Sequence, residues 1–161
     1  MSAPYVPLRT HGWHSLLTGT DAPAGLLVRA AELGLDTLFL TDVDTLAGLV
    51  DVLRAAERLG NVRARVGAEL SEPDGRPGRA IVLAQDERGH RNLLKLVSAR
   101  QLGDDPGTSG AELAPERFDL VEALTRFQAG LTVLVDHPRL ALALRERLAR
   151  TDLLVAVSPA A

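Results

Sequence analysis

The chain alternates short apolar runs with longer stretches in which apolar residues recur every three or four positions. The short runs predict buried strands, and the longer stretches predict amphipathic helices. This order is typical of a parallel sheet whose strands are joined by helices. Six strands are predicted, at 5–10, 37–41, 62–70, 79–84, 131–135 and 153–157. The predicted helices occupy 24–33, 45–59, 87–102, 116–127 and 138–150. A turn or hairpin loop is predicted at 71–79, and a loop at 103–110.

Polar and glycine residues predict where the first two helices begin and end. Gly34 and Gly60 follow the last apolar positions of these helices, where glycine readily takes the left-handed conformation that closes a helix. Asp21 or Thr20 is the predicted N-cap of the first helix, with Pro23 in its first turn.

Length and composition restrict the class of protein. With 161 residues and 46% apolar content, the chain is expected to form one domain over 1–161. The net charge of −3 argues against direct nucleic-acid binding, which rests on clustered basic residues. The absence of cysteine excludes disulfides and thiolate metal sites. The chain shows no signal peptide and no apolar run of roughly 18 residues, so we expect a cytoplasmic protein without membrane contact.

Residues 8–19 read Leu-Arg-Thr-His-Gly-Trp-His-Ser-Leu-Leu-Thr-Gly. This stretch resembles the opening motif of PHP domains (polymerase and histidinol phosphatase), above all those of bacterial DNA polymerase III alpha subunits. The family motif is His-x-His-Ser-x-Tyr/Phe-Ser-Leu-Leu-Asp-Gly, in which the two histidines bind metal. Arg9 stands in place of the first histidine, His11 matches the second, and His14 stands at the aromatic position. A guanidinium repels a divalent metal and has no lone pair to donate.

Three further segments extend the resemblance. Residues 40–48 resemble the family's Leu-Thr-Asp-His-x-x-Leu-x-Gly, in which Asp42 keeps the acid and Val43 replaces a metal-binding histidine. Glu69 matches the glutamate that bridges metals in active relatives. Residues 82–98 are similar to a long helical motif of the polymerase branch.

The resemblance implies a fold and a set of site residues. The implied fold is an α/β, PHP-type distorted (β/α) barrel that is incomplete here, with about six mostly parallel strands and outer helices. Active relatives hold metals that activate water and polarise phosphate. The metal-ligand candidates in this chain are His11, Asp42, Glu69 and His14. No catalytic or cofactor-binding residue is assigned, and we expect no cofactor, with zinc, manganese or magnesium as the alternative.

Each candidate also has a simpler explanation. His11 and His14 are expected to bond to the backbone, and Asp42 and Asp44 are expected to cap the helix predicted at 45–59. Glu69 needs a cationic partner at the end of a buried strand, and Arg9 is the predicted one.

The leading hypothesis is therefore a degenerate, non-catalytic PHP-like domain of the DNA polymerase III alpha type. It would serve as a structural or protein-interaction module in DNA replication or repair, and the resemblance implies a polymerase core or an exonuclease subunit as its partner. One alternative is a reduced metal-dependent phosphoesterase. A second alternative is a standalone scaffold that dimerises through the edge of its sheet.

Overall fold

The computed structural model describes residues 5–73, 75, 77–103 and 115–156. The helices are α1 (Pro23–Glu32), α2 (Leu49–Leu59), α3 (Glu87–Leu102), α4 (Leu120–Phe127) and α5 (Pro138–Leu144), with a 3-10 turn at Pro115–Arg117. The strands are β1 (Thr37–Leu40), β2 (Arg63–Ser71), β3 (Arg79–Ala84), β4 (Leu131–Val135) and β5 (Leu153–Val155). Most of the loop predicted at 103–110, and the last residue of the strand predicted at 153–157, lie outside the described residues.

The strands form one mixed sheet in the order β1-β2-β3-β4-β5. The pairs β1–β2 and β4–β5 are parallel, whereas β3 is antiparallel to both of its neighbours. Four of the five described strands thus run in the same direction, as a mostly parallel sheet requires, and β3 alone among them is reversed. The physical reason for this reversal is the connection between β2 and β3, which is too short to hold a crossover helix and so joins the two strands as a hairpin. The described strand pairs do not close into a ring, and the barrel is not confirmed.

The segment predicted as the first strand, at 5–10, runs beside β1 without forming a regular strand. Phe39 N–H donates to the carbonyl of Pro7 (3.3 Å), and Thr41 N–H donates to the carbonyl of Thr10 (2.8 Å). The Thr41 hydroxyl accepts from Thr10 N–H (2.8 Å). Because Pro7 has no N–H, the segment cannot form a continuous ladder with β1.

The two faces of the sheet carry different apolar clusters. The outer face of β2, β3 and β4 packs against α3, α4 and α5 in the main core, and α1, α2 and β1 form a second core. On the opposite, inner face, Ile81, Leu83 and Leu134 pack against Leu8 and Phe39. Side chains from β1, β3, β4 and the segment beside β1 therefore share one apolar cluster on this face.

The helix ends confirm part of the sequence prediction. Gly34 (φ +72°) and Gly60 (φ +71°) follow α1 and α2 in the left-handed conformation. Asp21 and Thr20 do not cap α1, because its N-cap is Ala22, which supplies no side-chain hydrogen bond. The carbonyl of Asp21 instead accepts from Trp13 N–H at 2.9 Å.

Three predicted helices are shorter than expected. Helix α2 begins at Leu49 rather than 45, after a turn in which the Thr45 hydroxyl accepts from Ala47 N–H at 3.1 Å. Helix α4 begins after Asp119, whose carboxylate accepts from Glu122 N–H at 2.8 Å. Helix α5 ends well before 150. In the part of the chain that the structure describes, no helix has the length and apolar character needed to cross a membrane.

Candidate functional site

Glu69 lies on the inner face of β2 and its side chain is inaccessible to solvent. Its neighbours along the strand, Ala68 and Leu70, belong to the main core on the outer face, so alternation turns Glu69 inward. Its partner across the hairpin is Ile81, which belongs to the inner apolar cluster. A carboxylate in such surroundings needs opposite charge and hydrogen-bond donors.

Three side chains supply that environment. Arg9 donates twice, from Nε to Oε2 (2.6 Å) and from Nη2 to Oε1 (3.0 Å) of Glu69. Arg79 Nη1 donates to the same Oε1 (2.7 Å), and His11 Nε2 lies 3.0 Å from Oε2. We call Arg9, His11, Glu69 and Arg79 the Glu69 cluster. The predicted ion pair between Arg9 and Glu69 is confirmed, and its bidentate geometry is the strong form of an arginine–carboxylate contact.

The cluster favours the ionised carboxylate. Burial on its own would raise the pKa of Glu69, but hydrogen bonds from Arg9 and Arg79, the charge of Arg9 and the contact with His11 outweigh it, so the pKa is lowered. The hydrogen bond to Glu69 raises the pKa of Arg9 despite partial burial. Both partners are therefore held in their charged forms.

Arg79 is a member of the site that the sequence analysis missed. It begins β3 on the same inner face as Ile81 and Leu83, because residues two apart on a strand share a face. Antiparallel pairing of Glu69 with Ile81 makes Arg79 the diagonal neighbour of Glu69. The signal lay in this alternation together with the turn or hairpin loop predicted at 71–79, because a hairpin there places Arg79 beside Glu69.

Asp42 follows β1 and is buried. Its side chain holds the loop of residues 11–22, which we call the first loop, rather than the start of a helix. Its Oδ1 accepts from Gly12 N–H (2.7 Å) and from the Ser15 hydroxyl (2.6 Å). The Ser15 hydroxyl oxygen in turn accepts from Val43 N–H (2.9 Å). The expectation that Asp42 caps α2 is wrong, because the N-cap of α2 is Gly48. Among the described residues, Asp42 Oδ2 has no hydrogen-bond partner.

Asp44 does not cap α2 either. It adopts a left-handed conformation (φ +53°) and accepts from Ser71 N–H (2.9 Å) and from the Ser71 hydroxyl (2.6 Å). Arg100, near the end of α3, pairs with the same carboxylate at 3.2 Å. Asp44 therefore connects the loop after β1 to the end of β2 and to α3.

His14 is directed to its chain neighbour. Its Nε2 accepts from Trp13 Nε1 at 3.0 Å, and the two rings are perpendicular. The imidazole of His137 is likewise occupied locally, since its Nδ1 accepts from Arg139 N–H (3.2 Å) at the start of α5. The expectation that His11 and His14 bond to the backbone is wrong, because His14 pairs with the Trp13 side chain and His11 with the Glu69 side chain.

The predicted metal ligands are only partly gathered. His11 and Glu69 are in contact, whereas the hydrogen bonds of Asp42 go to the first loop and those of His14 go to Trp13. Both oxygens of Glu69 are bonded to guanidinium groups. Within residues 5–73, 75, 77–103 and 115–156, no three His, Asp or Glu side chains are placed to hold a metal. In this arrangement, the donor set does not fit a divalent metal.

Comparison with known proteins identifies a family. The PHP domain family matches residues 7–150. The chain is 40% identical over 128 residues to an error-prone DNA polymerase of Anaeromyxobacter sp. (strain K), covering 78% of this chain and 11% of the relative. It is 36% identical over 137 residues to the error-prone DNA polymerase of Mycobacterium tuberculosis (strain ATCC 25618 / H37Rv), covering 80% of this chain and 12% of the relative. The chain thus spans about a tenth of the length of these curated relatives.

A solved structure with a similar fold is an amidohydrolase from Chromobacterium violaceum, whose crystal holds sulfate and no metal. It is 21% identical with a TM-score of 0.50, and the match covers 91% of this chain and 69% of the amidohydrolase. At this level of identity, the likeness concerns the fold alone.

The lowered pKa of Glu69 predicts an acid-dependent loss of stability. Its ionised form stabilises the fold above the ordinary glutamate pKa of about 4.3, and this contribution is lost as the pH falls through the lower folded value. We expect Glu69→Gln to be less stable than the unsubstituted chain at pH 7, with a difference that shrinks between about pH 5 and pH 3. Urea unfolding of both proteins across this pH range measures the difference in their free energies of unfolding. Glu57→Gln, at an exposed position of α2, is the control and should show no such trend; a constant difference for Glu69→Gln would contradict the prediction.

The shared carboxylate predicts that the two arginines are energetically coupled. Either arginine still neutralises Glu69 when the other is lost, and both are partly exposed, so Arg9→Ala and Arg79→Ala should each cost about 1–2 kcal/mol. The double variant should cost more than the sum, because it leaves a buried charge with His11 alone. Urea unfolding of all four proteins gives the coupling energy. When the same four proteins are compared in a Glu69→Gln background, the double variant should cost no more than the sum of the single variants. Simple additivity in both backgrounds would rule the coupling out.

Proposed function

This chain belongs to the PHP domain family, and we propose that it is a degenerate, non-catalytic member of the DNA polymerase III alpha type. In this proposal, residues 1–161 form a single domain that serves as a structural and protein-interaction module in cytoplasmic DNA replication or repair synthesis. The context is supported by the relatives, which are named error-prone DNA polymerases. Their whole-protein activity is not carried over to this chain.

The observation that supports a non-catalytic role is the state of Glu69. In metal-dependent hydrolysis, carboxylates and imidazoles must offer free lone pairs to the ion that activates water. Here, Arg9 and Arg79 donate to both oxygens of Glu69, and Arg9 stands where the family carries a ligand. An arginine side chain stays protonated in proteins and has no acceptor atom. The Glu69 cluster therefore contains fixed cations where metal-dependent hydrolysis requires metal ligands.

The sheet is also part of this proposal. We infer that it forms one wall of the distorted barrel of the family. The support is the inner cluster, in which Leu8 and Phe39 pack with Ile81, Leu83 and Leu134 on one face of the sheet.

The first loop is the proposed protein-contact surface. Trp13, Leu16 and Leu17 have 54%, 85% and 105% of their surface exposed. Leu17 also has a positive φ of 68°, so the loop is held in an unusual conformation. Its base is fixed by the buried bond from Ser15 to Asp42. Exposed apolar side chains on a rigid base meet a partner with little loss of conformational freedom.

Metal binding gives the first test of the proposal. After incubation with zinc, manganese or magnesium and desalting, the purified chain should carry no more metal than a buffer blank, and a chelator should not change its melting temperature. The matched variant is Arg9→His combined with Val43→His, which supplies imidazoles at the two replaced positions and should gain metal. Stoichiometric metal in the unsubstituted chain, lost in His11→Ala, would favour the reduced phosphoesterase with His11, Asp42, Glu69 and His14 as ligands. The observation that favours this alternative is Asp42 Oδ2, which has no hydrogen-bond partner among the described residues.

Partner binding gives the second test. We expect the immobilised chain to bind a purified error-prone polymerase core from which the PHP domain has been removed, or a purified exonuclease subunit. Leu16→Ser with Leu17→Ser should weaken that binding by roughly tenfold, as loss of apolar contacts at an interface does. Leu142→Ser, at a 62% exposed position of α5, is the control. Binding to neither protein, or equal weakening by the control, would contradict an interaction role for the loop.

A further inference from the structure

The first loop presents an uncharged apolar tip on a closed base. Leu16 and Leu17 have 85% and 105% of their surface exposed, and residues 12–19 contain no Asp, Glu, Lys or Arg. The backbone closes the base of this tip tightly, because any side chain at Gly19 would collide with the Gly12 carbonyl group. The tip is therefore a protruding apolar surface that the described part of the chain leaves uncovered.

A second apolar surface lies beside the last described strand. Helix α5, the turn after it and β5 enclose a groove of about 710 Å³, which we call the α5–β5 groove. Its apolar lining consists of Ala141, Leu142, Leu148, Leu153 and Val155. Leu142 and Val155 are still 62% and 56% exposed. Grooves of this size hold drug-sized molecules, so two leucine side chains fit within it.

The charged side chains of this groove favour a guest without charge. Arg145, Glu146 and Arg150 also line it, and all three are exposed. Arg145 Nη2 lies 3.3 Å from Glu146 Oε1, so these two charges balance each other in solvent. The remaining lining is apolar, and burying an unpaired charge against it would be costly. The uncharged tip of the first loop meets this requirement.

The loop and the groove lie at opposite edges of the sheet. The first loop follows the segment that runs beside β1, whereas β5 is the last strand at the other edge. Leu17 and Leu142 are both largely exposed, so the chain does not cover one surface with the other. A second copy offers the missing half of each contact, because an interface between two different surfaces of identical chains joins them head to tail.

We propose that the first loop of one copy inserts Leu16 and Leu17 into the α5–β5 groove of a second copy, so that the chain associates with itself head to tail. The partner is a second copy because one chain carries both the protruding and the receiving apolar surface. A single loop buries less area than the roughly 1,200 Å² of stable interfaces. We therefore expect a dissociation constant of about 0.1–1 mM. The inference goes beyond the proposed function and does not depend on it.

The test is sedimentation equilibrium of the full chain from about 10 μM to about 1 mM, which brackets the expected dissociation constant. The average mass should rise above that of one chain, and the rise should persist at high salt, because salt screens ion pairs but not apolar contacts. Leu16→Ser with Leu17→Ser, and separately Leu142→Ser, should weaken the association by about fivefold or more. Val50→Ser, at a 54% exposed position of α2, is the matched control and should leave it unchanged.

A mixing experiment distinguishes this contact from pairing of β5 with itself. The loop variant keeps its groove and Leu142→Ser keeps its loop, so a mixture of the two should form a pair of one chain each that grows no further. Such a pair also shows that both variants are folded.

Three results would each overturn the proposal. The first is a chain that stays monomeric at the highest concentration, whether its loop binds nothing or binds phosphatidylcholine vesicles instead. The second is association that the loop variant retains or that Val50→Ser weakens equally. The third is a mixture in which no pair forms. All of these measurements use the chain alone, so their failure is separate from a failure to bind metal or another protein.

Discussion

The cost of burying the Glu69 charge governs the region around it. A carboxylate with no solvent contact is strongly unfavourable unless donors and opposite charge surround it. Arg9 reaches it from the segment before α1, and Arg79 from the start of β3. The cluster therefore ties the segment before α1 to the β2–β3 hairpin, since Arg9 and Glu69 are 60 residues apart in sequence.

The loops beside this cluster are fixed by two further carboxylates, the buried Asp42 and the partly buried Asp44. Asp42 bonds to Gly12 and Ser15 in the first loop, and Asp44 bonds to Ser71 and Arg100. Asp42 stabilises loop backbone, because loop N–H groups must find partners when they are buried, whereas Asp44 joins the loop after β1 to the last residue of β2. The first loop can consequently expose large apolar side chains while its base stays ordered.

Features that depend on local pattern could be predicted from the sequence. Contacts that depend on the direction and pairing of strands could not. Apolar periodicity located every described helix and the five described strands, and the motif around Arg9 was enough to predict its pair with Glu69. Arg79 was not placed, because its contact depends on antiparallel pairing of β2 and β3, and a turn or hairpin loop at 71–79 does not by itself give the register of that pairing. The prediction that Asp42 and Asp44 cap α2 is wrong for a similar reason, since their contacts are tertiary. Acids before a helix prefer to cap it, but here tertiary donors from Ser15 and Ser71 compete successfully for the same oxygens.

Arginine can replace one property of a bound metal and not another. Its fixed positive charge offsets the buried glutamate, and its planar fork satisfies two oxygens with defined geometry. These are the properties on which folding depends. An open coordination position that binds and acidifies water is a separate property, which a guanidinium cannot supply because it has no vacant orbital or exchangeable ligand. A site in which the arginine–glutamate pair takes over the charge balance can thus keep the fold of its family without an open coordination position.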